Sequence, residues 1–315
     1  MLTKCTKQEL EKYIDFVYGL ALDLTKSGYP TYCDGIKTKS MFIEYLLKAF
    51  ERDDEETLLY QNDGVVQGLI HYYWIPEDKY IQTSAFCINS GIEEALSEFL
   101  ALIKNKFKGF ELYMGFPSEN KDAINYLSGH GFECIENDYN NNIILDKVND
   151  GLKVEGITQV KKDNFNSFKI IHDQVEGDMY WNSERIFRDF GNWIILIKEN
   201  DNIPEGAVYY MESRDGDYEI FGIDIDGNKN NPTLFKELLN AAIIDCKQRQ
   251  GKYITCFCDK EDLDSLLDCG FNCVGNYLCY KTIIWYWFWI LSWEFLIRIN
   301  GTRRQSSNRN HVKCG

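Results

Sequence analysis

The sequence predicts two α/β (α+β) domains in tandem, each a mixed, mostly antiparallel sheet flanked by helices. Three internal repeats predict it. "INYLSGHGFECIEN" (Ile124–Asn137) and "LDSLLDCGFNCVGN" (Leu263–Asn276) share an apolar-x-x-Leu-x-x-x-Gly-Phe-x-Cys-[Ile/Val]-x-Asn frame and sit 139 residues apart. The apolar stripe Ile92, Ala95, Leu96, Phe99, Leu100, Ile103 has the spacing of an amphipathic helix. It recurs 139 residues later as Leu234, Phe235, Leu238, Leu239, Ala242. "VQGLIHYY" (Val66–Tyr73) matches "PEGAVYYM" (Pro204–Met211) with a one-residue slip that aligns Gly68 with Gly206.

The elements follow in order. "MLTKCTKQELEKY" opens directly into a charged helical pattern. A strand-like "TLLY", the turn signal "QNDG" and the "VQGLIHYY" run predict antiparallel strands. The long helix over Gly91–Lys106 follows, with Ser90 and Glu93 placed as a capping box. A strand, a short helix and a last strand complete the half. Glycine after the short helix can take a left-handed turn, and the following Phe plugs the core. "DKVNDG" (Asp146–Gly151) is the polar joint between domain 1–148 and domain 152–284. The second half repeats the order: "NWIILI", the turn "ENDN", "PEGAVYYM" and "DYEIFGIDID". A helix then starts behind an Asn231 cap with Pro232 in its first position. "YITCFC" and the second Gly-Phe segment end the half.

The formal net charge is −15. An acidic surface repels phosphate backbones, which argues against nucleic acid and suits a cationic partner. The chain has 11 cysteines, an odd number in a chain that is not small. With no signal peptide read at its start, reduced thiols and a cytoplasmic location are expected. No metal is expected. Cys256-x-Cys258 lies within a strand pattern, and the four histidines are scattered. Asp224-x-Asp226-x-Asn228 opens like a calcium loop, but Lys229 and Phe235 stand where Gly and Glu are required.

The duplicated frame resembles the GCN5-related N-acetyltransferase family, in tandem over about residues 1–284. The resemblance is carried by "DGVVQG" (Asp63–Gly68), by the long helix after the fourth strand, and by Asn120-x-x-Ala123 with Gly131-Phe132. It implies a GNAT-type N-acyltransferase that passes an acetyl group from the cosubstrate acetyl-CoA to a small-molecule or peptide amine. It further implies that the fourth-strand backbone, at Ile223 and Ile225 of the second copy, orients the pantetheine. Gly227, Asn228 and Lys229 would face the pyrophosphate, and Asn120 is the family's Asn of the first copy. Glu219 is the candidate general base, acting directly or through water. Glu219 and Asp224 are an odd number apart, so a regular strand turns them to opposite faces.

The sequence departs from the family in both copies. The phosphate-binding [Gln/Arg]-x-x-Gly-x-[Gly/Ala] run is missing, and Glu93 with Glu94 put negative charge at the first long helix. Leu127 and Leu266 stand where the family often has a catalytic Tyr. The second copy is the less hostile to a phosphate, and is expected to be the working site. The alternative is a catalytically inactive binding or sensor module that keeps the fold alone.

"WYWFWILSWEFLIRINGTRRQSSNRNHVKCG" (Trp285–Gly315) breaks the composition. Four of the seven Trp lie between Trp285 and Trp293, and basic residues follow. Three readings stay open: a read-through or cloning remnant, an interfacial or membrane anchor, and a partner-binding segment. Only the anchor would bring the protein to a membrane.

Overall fold

The computed structural model describes residues 1–149, 151–174, 181–214, 216–228 and 231–284. The tail from Trp285 and Lys229 both fall outside them, and with them the three readings of the tail. The first half runs β1 (Leu2–Lys4), α1 (Lys7–Ala21), α2 (Lys39–Lys48), β2 (Glu55–Asn62), β3 (Val65–Ile75), β4 (Tyr80–Ile88), α3 (Ile92–Lys106), β5 (Glu111–Pro117), α4 (Lys121–Gly129) and β6 (Glu133–Ile144). The second runs β7 (Ile157–Gln159), α5 (Phe165–His172), α6 (Ser183–Arg188), β8 (Trp193–Asn200), β9 (Ile203–Arg214), β10 (Asp217–Ile225), α7 (Pro232–Gln248), β11 (Tyr253–Cys258), α8 (Leu263–Asp268) and β12 (Asn272–Ile283).

The two halves share one sheet of twelve strands, in the order β1-β2-β3-β4-β5-β12-β6-β11-β10-β9-β8-β7. Each half makes a single strand after its short helix, and the two final strands change places. β12 pairs with β5 of the first half, β6 pairs with β11 of the second, and both pairings are antiparallel. β6 and β12 then pair with each other. The exchange covers the edges that β5 and β11 would otherwise leave bare. Expectation and structure thus agree on two similar α/β halves, and the exchange is what the repeats did not disclose.

The opening repeat sets up these strands. Gly131 and Gly270 take φ of 75° and 92°. The Phe132 N–H donates to Leu127 O at 3.2 Å, and the Phe271 N–H to Leu266 O at 3.1 Å. These are matched left-handed helix ends, and each Phe is buried as the chain turns into β6 or β12. Leu127 and Leu266 are fully buried, so the positions where a catalytic Tyr was sought serve the two cores.

Helices cover both sheet faces. α3 and α4 pack over Ile70, Tyr72 and Phe86, while α1 and α2 pack over Leu59, Leu69 and Cys87. In the second half α7 packs over Val208, Tyr210 and Ile220, and α5 with α6 over Ile195, Ala207 and Tyr209. Among the described residues, no helix is long and apolar enough to cross a membrane.

Candidate active site

The fourth and fifth strands of each half run parallel for only a few residues. β4 pairs with β5 from Tyr80 to Gln82, and β10 pairs with β11 from Asp217 to Ile220. Beyond those points the strands diverge, and their facing backbone groups need other partners. The two halves meet that need differently.

In the first half the chain fills its own gap. The Gly28 N–H donates to Phe86 O and the Tyr29 N–H to Gly115 O, both at 2.8 Å. The Ile88 N–H donates to Lys26 O at 2.9 Å, so Lys26–Tyr29 bridges β4 and β5 as an extended insert. A Cβ on Gly28 would lie 3.0 Å from the Phe86 Cβ and 3.2 Å from Gly115 O. Asn120 holds the insert: its Nδ2 donates to Ser27 O at 3.0 Å, and its Oδ1 accepts from the Ala123 N–H at 3.4 Å as the α4 cap. Asn120, which the resemblance set with the cofactor residues, thus has its buried amide bonded to its own chain at both ends.

The expected capping box on α3 is also corrected. Its N-cap is Gly91, at φ 73° with no side-chain cap, and the Ser90 Oγ donates to Gln67 Oε1 instead. Gly supplies the left-handed turn into α3 that Ser would strain to make.

In the second half, among the described residues, no segment bridges β10 and β11 beyond Ile220 and Cys256. Ile223 and Ile225 lie on this diverging edge, their side chains packed towards the α7 core. α7 starts as expected, with the Asn231 Oδ1 accepting from the Leu234 N–H at 3.2 Å and Pro232 in the first turn. Gly227 takes φ 68°, and its N–H donates to Gln174 Oε1 at 2.7 Å. A protein side chain therefore holds the amide expected to face a phosphate. Asn228 closes this same turn. A cavity of about 420 Å³ lies at the start of α7, lined by Ile225, Asn231, Thr233 and the acids Glu205, Asp226 and Glu237.

Glu219 stands on β10 just before the strands part. It lines a cleft of about 250 Å³ built by both halves. Asp217, Glu219 and Thr255 come from the second half, and Tyr29, Lys37 and Gln82 from the first. Burial pushes the Glu219 carboxyl up to about 7, with Lys37 pulling it down and Glu136 pushing it up. Lys37 is itself paired with Asp34. The Tyr29 ring packs against Phe257 at 5.2 Å and Tyr277 at 4.7 Å. Burial, then the charges of Glu219, Asp34 and Glu136, hold its hydroxyl well above the usual tyrosine range, so it stays protonated. Asn142 of β6 fixes the same loop, its Nδ2 donating to Asp34 O at 3.1 Å.

The opposite-face expectation for Glu219 and Asp224 is overturned. A bulge between Ile220 and Gly222 leaves Phe221 unpaired and reverses the alternation. Met211 opposes Glu219 and Ala207 opposes Asp224, and both partners belong to the face covered by α5 and α6. Asp224 nevertheless does not share the cleft, because the His172 Nδ1 meets its Oδ2 at 2.7 Å. The His172 Nε2–H donates to Trp181 O at 2.9 Å. Burial works against charge on His172, but the Asp224 bond and charge prevail and raise its pKa.

Matching the first residues of the parallel pairs aligns β4 with β10 without a gap. Tyr80 matches Asp217, Gln82 matches Glu219 and Cys87 matches Asp224. Sequence reasoning missed Asp217, Lys37 and Tyr29. Asp217 carried a signal, two residues before Glu219 in "DYEI" and so on the same strand face. Tyr29 and Lys37 carried none, because they belong to the other half. Among the described residues no cluster of metal-ligating side chains is found.

Solved structures share this fold. A GCN5-related N-acetyltransferase from Sphaerobacter thermophilus aligns with a TM-score of 0.61 and 10% identity, covering 90% of this chain and 95% of its own. The GCN5-related glucosamine N-acetyltransferase region of a fungal multi-domain GH3 beta-N-acetylglucosaminidase aligns with a TM-score of 0.57 and 10% identity, covering 90% of this chain and 38% of that one. A tandem GNAT protein from the clavulanic acid biosynthesis pathway aligns at 9% identity and a TM-score of 0.48, covering 90% and 98%. No protein-family model matches the chain, and no curated protein does. The fold is that of the GCN5-related N-acetyltransferases.

Proposed function

We propose that the protein transfers an acyl group, acetyl from acetyl-CoA, to an amine, at one site in its second half. The observation that carries this reading is Glu219, a carboxyl raised to about 7 in a cleft beside diverging strands. A base of that strength takes a proton from an ammonium near neutral pH. The neutral amine left behind is the nucleophile for a thioester.

One feature of the fold supports a fit to the cosubstrate. The first-half gap accepts an extended stretch of backbone, bonded on both sides. The matching gap between β10 and β11 suits another extended chain of amides, and pantetheine is one. In this reading the backbone edge at Ile223 and Ile225 orients it. The pyrophosphate lies by Gly227, Asn228 and Lys229, and Gln174 gives up the Gly227 amide to admit it. When bound, acetyl-CoA supplies the activated acyl group. The chain positions the amine, takes its proton on Glu219, and excludes water with Tyr29. The same reading places the reaction in the cytoplasm.

A binding module without chemistry is favoured by one observation, the Gln174 side chain on the Gly227 amide. Calorimetric titration of acetyl-CoA into the full chain separates the two. One saturable site per chain, with acetyl transfer slowed by about 10²-fold or more in Glu219→Gln but binding kept, supports the enzyme. No binding at millimolar acetyl-CoA overturns it and leaves the binding module.

A further inference from the structure

We infer that the amine held in the cleft is a small diamine, one ammonium resting on Asp217 while the second nitrogen meets Glu219. The inference builds on the acyl-transfer reading and adds the substrate class. Asp217 is only 7% exposed and lines the cleft. Its backbone carbonyl accepts from the Ser213 Oγ at 3.3 Å, but no hydrogen bond or ion pair reaches its carboxylate among the described residues. Lys37, the cleft's cation, is already taken by Asp34. Asp217 and Glu219 therefore offer the cleft two carboxyl groups on one strand face, one for each nitrogen of a diamine.

Spacing and size agree. Two residues along one face of a strand are about 6.6 Å apart, the reach of a short alkyl diamine. The volume of about 250 Å³ falls below the range typical of drug-sized ligands. Tyr29, Tyr32 and Tyr45 give aromatic walls, which suit both an ammonium and a methylene chain. The equivalent positions of the first half show the contrast. There the Tyr80 and Tyr73 hydroxyls both donate to Gln82 Oε1, at 2.6 and 2.5 Å, in a neutral group that satisfies itself.

The test is a pair of calorimetric titrations of the full chain, with 1,4-diaminobutane and with butylamine, each with and without coenzyme A. The diamine should bind at least tenfold more tightly, and Asp217→Asn should erase that preference while coenzyme A still binds. Equal binding of the two amines, or binding of neither, overturns the inference, and so does a preference that survives Asp217→Asn. The comparison on the unaltered chain stands even where the variant folds poorly. A diamine preference without any coenzyme A binding keeps the inference and sinks the acyl-transfer reading instead.

Discussion

The two halves set the same strands in the same order and put them to opposite uses. In the first, the gap between β4 and β5 holds Lys26–Tyr29, and the carboxylate position is Gln82. In the second, Glu219 stands at that position, and among the described residues nothing bridges the gap beside it. The insert does more than close a slot. The chain that leaves it at Tyr29 continues to Lys37 and walls the cleft of the other half. In the proposed reading one copy serves as scaffold, and part of that scaffold walls the cleft beside Glu219.

Exchanging residues between the halves tests this contrast most severely. Glu219→Gln should lower kcat of acetyl transfer by about 10²–10⁴-fold, the usual weight of a general base. Gln82→Glu sets a carboxyl on another wall of the same cleft, and should not restore activity to Glu219→Gln. Rescue by Gln82→Glu would show that the two positions are interchangeable.

Next in size is the insert. Gly28→Val must push against Phe86 and Gly115, and should cost about 1–3 kcal/mol in urea unfolding. Gly19 lies inside α1 with nothing within 4 Å of its added Cβ, so Gly19→Ala should instead stabilise by about 0.5–1 kcal/mol. Equal effects at the two glycines would mean that the insert is loosely held.

Asn120→Ala leaves the buried Ser27 carbonyl without its donor and should cost about 1–3 kcal/mol. Acetyl-CoA affinity should not move. Weaker binding in this variant would give Asn120 a cofactor role beside its structural one.

The smallest expected effect is a shift with pH. Activity should rise as Glu219 loses its proton, with an apparent pKa of about 7. Lys37 lowers that value, so Lys37→Met should move the rising limb to higher pH. The sign for stability is the reverse. Ionising a carboxyl raised from 4.5 opposes folding, so this contribution is lost as pH climbs from about 4.5 to about 7. Glu219→Gln should flatten that part of the stability profile.

Local patterns made much of the fold legible. The Gly-Phe frame named two left-handed helix ends, and the apolar stripes named α3 and α7. Asn231 and Pro232 marked the start of α7 within the residues that form it. What stayed hidden depends on contacts far apart in sequence. The Asn120 partner is 93 residues away, and no periodicity records it. One unpaired residue, Phe221, was enough to turn Asp224 to the face of Glu219. Ser90 looked like a cap by composition, yet Gly91 supplied the turn. Of the site, Glu219 was legible as a carboxylate on a fourth strand. Its companions Tyr29 and Lys37 were not, because their role comes from the way the halves interlock.

The crossing of β6 and β12 makes the joint near residue 150 a poor place to cut. A gene divided there would send each product out without the strand that completes its sheet, and with an extra strand that fits its sibling. Each fragment alone would present an open edge and tend to stick. The two expressed together would have every reason to clasp and restore the whole. The duplication therefore survives as a pair of interlocked copies, and neither can be lost without unmaking the other.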